Sequence, residues 1–257
     1  MANISDNKII MMDFTGAYEY ESFYRHHKFA WVDLTDLSGS DCFCSPEAEQ
    51  TIINRIKDFS VRSIHFIDSG NHHYVSKFWT DKIKTPFSLI LFDHHPDMQP
   101  PLFESVLTCG SWVKELLDKN RYLQKVVLIG IADKLADAIP DSYKDRVICY
   151  SESTLDHGQI WKELTRQHIN EPVYISIDKD VLSTEVAVTD WDQGSMNLEE
   201  LESLLKIIIR NHTILGMDIC GECSNTLKLI TESRIDDIND STNECIVQFL
   251  LSFCKLK

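Results

Sequence analysis

Apolar residues along this chain fall mostly in short runs, each closed by Asp, Gly or a polar turn. Eight runs stand out, at 8–13, 29–34, 62–68, 88–93, 125–130, 146–150, 172–178 and 213–218. Their length and their borders read as buried strands. The stretches between several of them carry a helical period instead. Ser45 can cap a helix with Pro46 at its first position, Glu47 and Glu49 in its first turn, and Ile52, Ile53, Ile56 and Phe59 on one face. Val75, Phe78 and Trp79 mark a second helix, and a third is expected around 158–168. Asn197 precedes Leu198, Leu201, Leu204, Leu205 and Ile208 at helical spacing, and a last helix is expected from about 241 to 253. Strands alternating with helices predict βαβ units: a three-layer α/β fold of about eight mainly parallel strands flanked by helices. No low-complexity linker or internal repeat divides the chain, so residues 1–257 are expected to form a single domain.

Composition narrows the class. The chain is 43% hydrophobic and 25% charged, as globular proteins are. No apolar run nears the roughly 20 residues a membrane span needs. The N-terminus has no basic region leading into a long apolar stretch, so a cytoplasmic protein is expected. The net charge of −15 disfavours nucleic acid and anionic membrane as partners and suits a small cationic substrate or an acid-rich metal site. The eight cysteines are scattered; Cys220 and Cys223 form a lone CxxC, and Cys42 and Cys44 another close pair. Structural zinc wants two well-spaced pairs, so these read as reduced core cysteines.

The chemistry gathers at three strand ends. The run at 88–93 leads into Asp93-His94-His95-Pro96-Asp97. If the chain stays extended, Asp93, His95 and Asp97 face one way, and His94 packs on the other side. Two carboxylates are costly to bury without a neutralising cation, and mixed carboxylate and imidazole donors suit manganese, iron or zinc. The third strand leads into Ser69-Gly70-Asn71-His72-His73, and the seventh ends in Ser176-Ile177-Asp178-Lys179-Asp180. A parallel sheet brings all three to its carboxyl edge, where ligand sites form. That donor count exceeds one ion's need and suits two ions about 3.5–4 Å apart.

In this order and spacing, the segments resemble the GGDH, DAHxD and SxDxDxxDP motifs of the ureohydrolase family of arginases, agmatinases and formimidoylglutamases. The resemblance covers about residues 65–225. It implies an arginase-like eight-stranded fold and two manganese ions held by His72, Asp93, His95, Asp97, Asp178 and Asp180. Asp93 and Asp178 would bridge the ions, and His73, one position after the family's ligand, would open the next helix or support the ligands from behind rather than serve as a further ligand. It further implies hydrolysis of a non-peptide C–N bond in a guanidino or amidino compound by a hydroxide bridging the metals. Asp97 would carry the proton, and Glu222 would orient the cationic group. Glu222 lies one residue out of register with the family's D-I-x-E, so Asp218 is its rival. A homo-oligomer is compatible with the resemblance. The chain departs from the family at Cys109-Gly110, where arginases keep His-Gly, at 183–187 in place of DPxxxP, and at 189–194, where Asp190, Trp191 and Asp192 either line the pocket or form a tight turn. Two other readings compete. Phe92-Asp93-His94-His95 resembles the DHH phosphoesterases, although Asp13-Phe14-Thr15-Gly16 does not match their first motif. A non-catalytic, metal-binding regulatory protein would account for the missing histidine.

Overall fold

Strand β5 (Phe87–Phe92) is buried at every position, and it sits deep in a sheet covered on both faces. The structure is a computed structural model that describes residues 9–100, 106–155, 169–224 and 234–254. Around β5 run β1 (Ile9–Asp13), β2 (Phe29–Asp33), β4 (Ile64–Phe66), β7 (Leu123–Ile131), β8 (Val147–Ser151), β9 (Val173–Asp178) and β10 (Ile214–Cys220). Their order is β2-β1-β4-β10-β9-β5-β7-β8, and every pairing is parallel. All eight expected strands are therefore present. Continuous apolar runs are what a doubly covered parallel sheet selects, because both faces of each strand lose water. The edge strand β2 is mostly exposed instead.

The two faces are filled by alternate residues of the same strands. Leu89 and Leu91 of β5 pack on one side with Ile52 of α1 (Pro46–Ile56), Trp79 of α2 (Val75–Thr80) and Leu116 of α3 (Trp112–Lys119). Ile90 and Phe92 pack on the other side. There they meet Leu201 and Leu205 of a long helix at Leu198–Asn211, and Ile246 and Val247 of the C-terminal helix at Arg234–Cys254. Each fully buried side chain of this kind contributes about 1.5–3 kcal/mol. The helix starts follow their caps. The Ser45 hydroxyl accepts from Ala48 N at 3.2 Å, and Asn197 and Glu200 close a reciprocal capping box.

Two features differ from the sequence expectation. The C-terminal helix begins at Arg234, earlier than its apolar spacing indicated. A two-stranded antiparallel ladder, β3 (Phe43–Cys44) with β6 (Leu107–Thr108), is too short to leave a periodic signal. The helix expected around 158–168 lies outside the described residues. No described helix is long and apolar enough to cross a membrane.

The consequence for function is at the carboxyl edge. Strands β4, β10, β9 and β5 are neighbours in the middle of the sheet, so the loops that follow them converge.

Candidate metal centre

The loop after β4 turns through a short 3-10 helix at Gly70–His72, capped by the Ser69 hydroxyl, which accepts from Asn71 N at 3.2 Å. Consecutive side chains on such a turn point about 120° apart, so His72 and His73 cannot face the same place. The structure puts His73, not His72, in the centre. His73 Nδ1 lies 3.2 Å from Asp93 Oδ2, 3.2 Å from Asp97 Oδ2 and 3.4 Å from Asp178 Oδ2. His72 instead stacks on Phe14, ring centroids 4.0 Å apart, and burial pulls it down to about 4. The structure thus does not bring His72, an expected ligand, to the other donors. Aligned on its second histidine, the segment reads Gly70-Asn71-His72-His73.

The other expected residues do meet. Asp93 ends the run of β5, and its Oδ1 accepts from His95 N at 2.6 Å. His95 Nδ1 sits 2.8 Å from Asp180 Oδ2, and Asp180 Oδ1 accepts from His94 N at 2.9 Å. Asp178 Oδ1 accepts from Asp180 N at 3.0 Å, which holds the Asp178-Lys179-Asp180 turn tight. Asp97 arrives by a different route from the expected strand alternation. Its backbone is left-handed, with φ of 50°, a region Asp tolerates better than most residues. That turn brings its carboxylate back over the cluster, where Oδ2 accepts from Trp112 Nε1 at 2.6 Å. His94 turns away, 3.9 Å from Glu152.

Glu222 and Asp218 are not in the pocket. Gly221 follows β10 with φ of 95°, and the N–H groups of Gly221 and Glu222 both donate to Asp68 O at 3.0 Å. This turn sends the Glu222 carboxylate into the protein, against Lys179, Asn239 and Asn243. Asp218 is fully buried and accepts from Ser176 Oγ at 2.5 Å. Ser176 Oγ in turn lies 2.9 Å from His73 Nε2. An Asp218–Ser176–His73 chain thus fixes the imidazole so that Nδ1 faces the carboxylates. Metal-binding histidines are oriented in this way through their outer nitrogen.

The electrostatics call for a cation. Burial, then neighbouring acids, pushes the Asp93 and Asp178 carboxyls above the usual range, and burial raises Asp97. Burial and the charge of Asp93 push Asp180 up to about 7. Desolvation opposes a charge on His95, but Asp180 and Asp93 outweigh it and push the ring up to about 11. Asp93 Oδ2 is buried with no hydrogen-bond partner. The carboxylate of Asp178 is wedged between two glycines; a Cβ on Gly70 would come within 2.8 Å of one oxygen and a Cβ on Gly221 within 2.6 Å of the other. Donor triplets form at His73, Asp93 and Asp97 and at Asp93, His95 and Asp180, sharing Asp93. A third joins His73, Asp178 and Cys220. This set fits a pair of divalent cations in both charge and donor chemistry.

His73, Asp93, His95, Asp97, Asp178 and Asp180 form one wall of a cavity of about 270 Å³, with Cys220 behind it. Trp191 and Phe43, both partly exposed, flank it, with Gln99, Thr108, Cys42 and Cys109. Trp191 Nε1 donates to Asn71 Oδ1 at 2.8 Å. The 189–194 segment is therefore both a turn and a wall, through Trp191. Asp190 is committed to Ser224, accepting from its N at 3.0 Å, and Asp192 is not among the lining residues. Cys42 is a lining residue that the sequence does not signal, because only its pairing beside β6 brings it here.

Residues 13–229 match the arginase family. An uncharacterized protein from Thermotoga maritima is 35% identical over 214 residues, which span 83% of this chain and 79% of that protein. The fold is that of proclavaminate amidino hydrolase from Streptomyces clavuligerus, with a TM-score of 0.73 at 13% identity, covering 98% of this chain and 92% of that one. It is also that of an arginase from Medicago truncatula, with a TM-score of 0.70 at 16% identity, covering 97% and 87%. With this match over most of its length and an eight-stranded parallel sheet of the same kind, the chain belongs to the arginase family, as a divergent member.

Proposed function

We propose that the chain is a hydrolase of a non-peptide C–N bond in a small guanidino or amidino compound, working with two divalent cations. The carrying observation is the convergence of four buried carboxylates and two imidazoles on one small cavity, in a chain of this family. His73, Asp93 and Asp97 would hold one ion and Asp93, His95 and Asp180 the other, with Asp178 at the side of the first. Manganese is the metal that the family resemblance implies. Such a pair lowers the pKa of a shared water towards neutrality.

The protein's own part is positional. Asp97 has Oδ2 fixed by Trp112, which leaves Oδ1 to accept a proton and pass it to the leaving amine. Burial, first of all, raises the Cys109 thiol well above its ordinary range, so it stays protonated at neutral pH and does not replace the family's histidine as a shuttle. The substrate's planar cation would lie against the carboxylate wall and the Trp191 face. Family membership favours this reading over the DHH phosphoesterase.

The test is to strip the full chain, reload it with manganese, count metal per chain and screen guanidino and amidino compounds for urea or ammonia release. About two ions and metal-dependent release are expected. A folded chain that takes up no divalent metal would overturn the proposal. The two histidines should separate in the same assay. His73→Ala is expected to weaken metal binding by at least about 100-fold, the upper end of what loss of a mere supporting group costs. His72→Ala should keep the metal and lower stability by about 2 kcal/mol through the lost packing on Phe14. Elemental analysis and thermal unfolding read the two effects apart.

A further inference from the structure

Cys220 is the last residue of β10, in register with Asp178 of β9, so the two side chains leave adjacent parallel strands on the same side. Its Sγ lies 3.1 Å from Asp178 Oδ2, and that oxygen lies 3.4 Å from His73 Nδ1. The three donor atoms fall within 4.8 Å of one another, and all three residues are buried. Beside them, Asp93 Oδ2 points at His73 Nδ1 from 3.2 Å with no hydrogen-bond partner of its own. An ordinary core thiol beside a carboxylate explains the first contact. It does not explain why the buried sulfur shares a triplet with an imidazole nitrogen and a carboxylate oxygen, next to a second carboxylate oxygen that faces the same imidazole nitrogen.

We propose that Cys220 is a thiolate ligand to the ion on the His73–Asp178 side, and that it makes this position prefer zinc, cobalt(II) or iron(II) over manganese. The inference rests on the two-cation reading above and adds a sulfur donor to it. The distances suit the assignment. A tetrahedral ion with bonds of about 2.0–2.2 Å to N and O and about 2.3 Å to S sets donor–donor edges of roughly 3.3–3.6 Å. The His73 Nδ1–Asp178 Oδ2 edge of 3.4 Å falls in that range; the Cys220 Sγ–Asp178 Oδ2 contact of 3.1 Å is a hydrogen-bond distance that has to open by a few tenths of an ångström when the thiol proton leaves and the ion enters. The chemistry is a simple exchange. The S–H bond breaks, an S–metal bond forms, and the proton leaves to solvent. A thiolate is a softer donor than any carboxylate, and it draws zinc and its neighbours away from manganese, which oxygen donors suit better. Gly221 is part of the device, since a Cβ there would reach Lys179 N at 2.7 Å as well as the Asp178 carboxylate and push β9 away from Cys220.

Cobalt(II) is the probe, because a thiolate–cobalt bond adds a near-ultraviolet charge-transfer band that N and O ligands do not give. The full chain, stripped and loaded with cobalt, is compared with Cys220→Ser and Cys220→Val for metal count and absorption. A Cys42→Ser/Cys109→Ser double variant serves as a control for the pocket thiols. The expected result is the band in the native chain and in the control, and its loss in both Cys220 variants while cobalt stays bound. In zinc–manganese competition the native chain's preference for zinc should fall by at least about tenfold in those variants. Cobalt bound by the native chain without the band overturns the thiolate ligand and leaves the two-cation reading standing. A folded native chain that binds no cobalt, zinc or manganese overturns both. If neither Cys220 variant folds, the native and control spectra still decide.

Discussion

Asp93→Asn is expected to remove turnover and, in the metal-free chain, to raise stability. Both follow from one fact: Asp93 is a fully buried carboxylate shared by two donor triplets. Between the two cations proposed above, its charge would be fully used. An amide offers a neutral oxygen, so the ion count should fall from two to at most one, and kcat/KM by on the order of 10³. That loss corresponds to about 4 kcal/mol of transition-state stabilisation. Without cations the same charge is a burden. Burial, then Asp97, raises the Asp93 carboxyl above its ordinary range. A carboxyl raised in the folded state contributes stability below its unfolded value, near 3.9, and loses it as the pH climbs through the folded value. Asn does not titrate. The metal-free variant should therefore unfold at a higher temperature than the metal-free native chain at pH 8, by a margin that shrinks towards pH 5. His73 keeps Asp97 and Asp178, and His95 keeps Asp180, so the substitution strands neither ring. Metal-free melts at the two pH values check this. A variant less stable at pH 8 than the native chain would show that Asp93 is held by its histidines rather than poised for a cation.

The eight strands were legible because a doubly covered parallel sheet leaves continuous apolar runs, and Asp93, His95, Asp178 and Asp180 were legible because they close such runs. Legibility stopped where the chain left regular structure. Strand alternation says nothing about a 3-10 turn, so motif position alone points to His72, whereas the structure places His73 beside the carboxylates. Alternation points Asp97 the same way as Asp93 and His95, but it is a left-handed backbone, not alternation, that brings its carboxylate to the cluster. Cys220 looked like half of an isolated CxxC, because its relation to Asp178 exists only in the β9–β10 register. Glu222 meets the same limit: its contact with Lys179, 43 residues away in sequence, leaves no pattern in the chain.

That partnership sets the second large effect. Lys179 is fully buried between two centre carboxylates, and its ammonium meets Glu222 and donates to Asn243 Oδ1 at 3.1 Å. Glu21 lies beside them, completely buried, its Oε2 accepting from Asn243 Nδ2 at 2.8 Å. Burial and the charge of Glu222 hold the Glu21 carboxyl well above its ordinary value, so it stays neutral. Burial would raise Glu222 as well, but Lys179 and the hydrogen bonds around it keep it below the ordinary range and charged. The group therefore balances as one cation and one anion. Lys179→Met leaves Glu222 as a buried charge without a partner, which costs about 3–5 kcal/mol. At roughly 2–4 °C per kcal/mol for a chain near this size, unfolding should move down by about 10 °C. The damage reaches the metal centre, because Lys179 stands between Asp178 and Asp180 in the same turn. Adding Glu222→Leu removes the stranded charge and should restore most of the stability and the metal count. The same pair of variants decides what Glu222 is for. If it oriented a substrate cation, Lys179→Met/Glu222→Leu would recover its fold and metal but stay inactive. Recovery of turnover along with stability would make Glu222 a structural anchor for the Asp178–Asp180 turn.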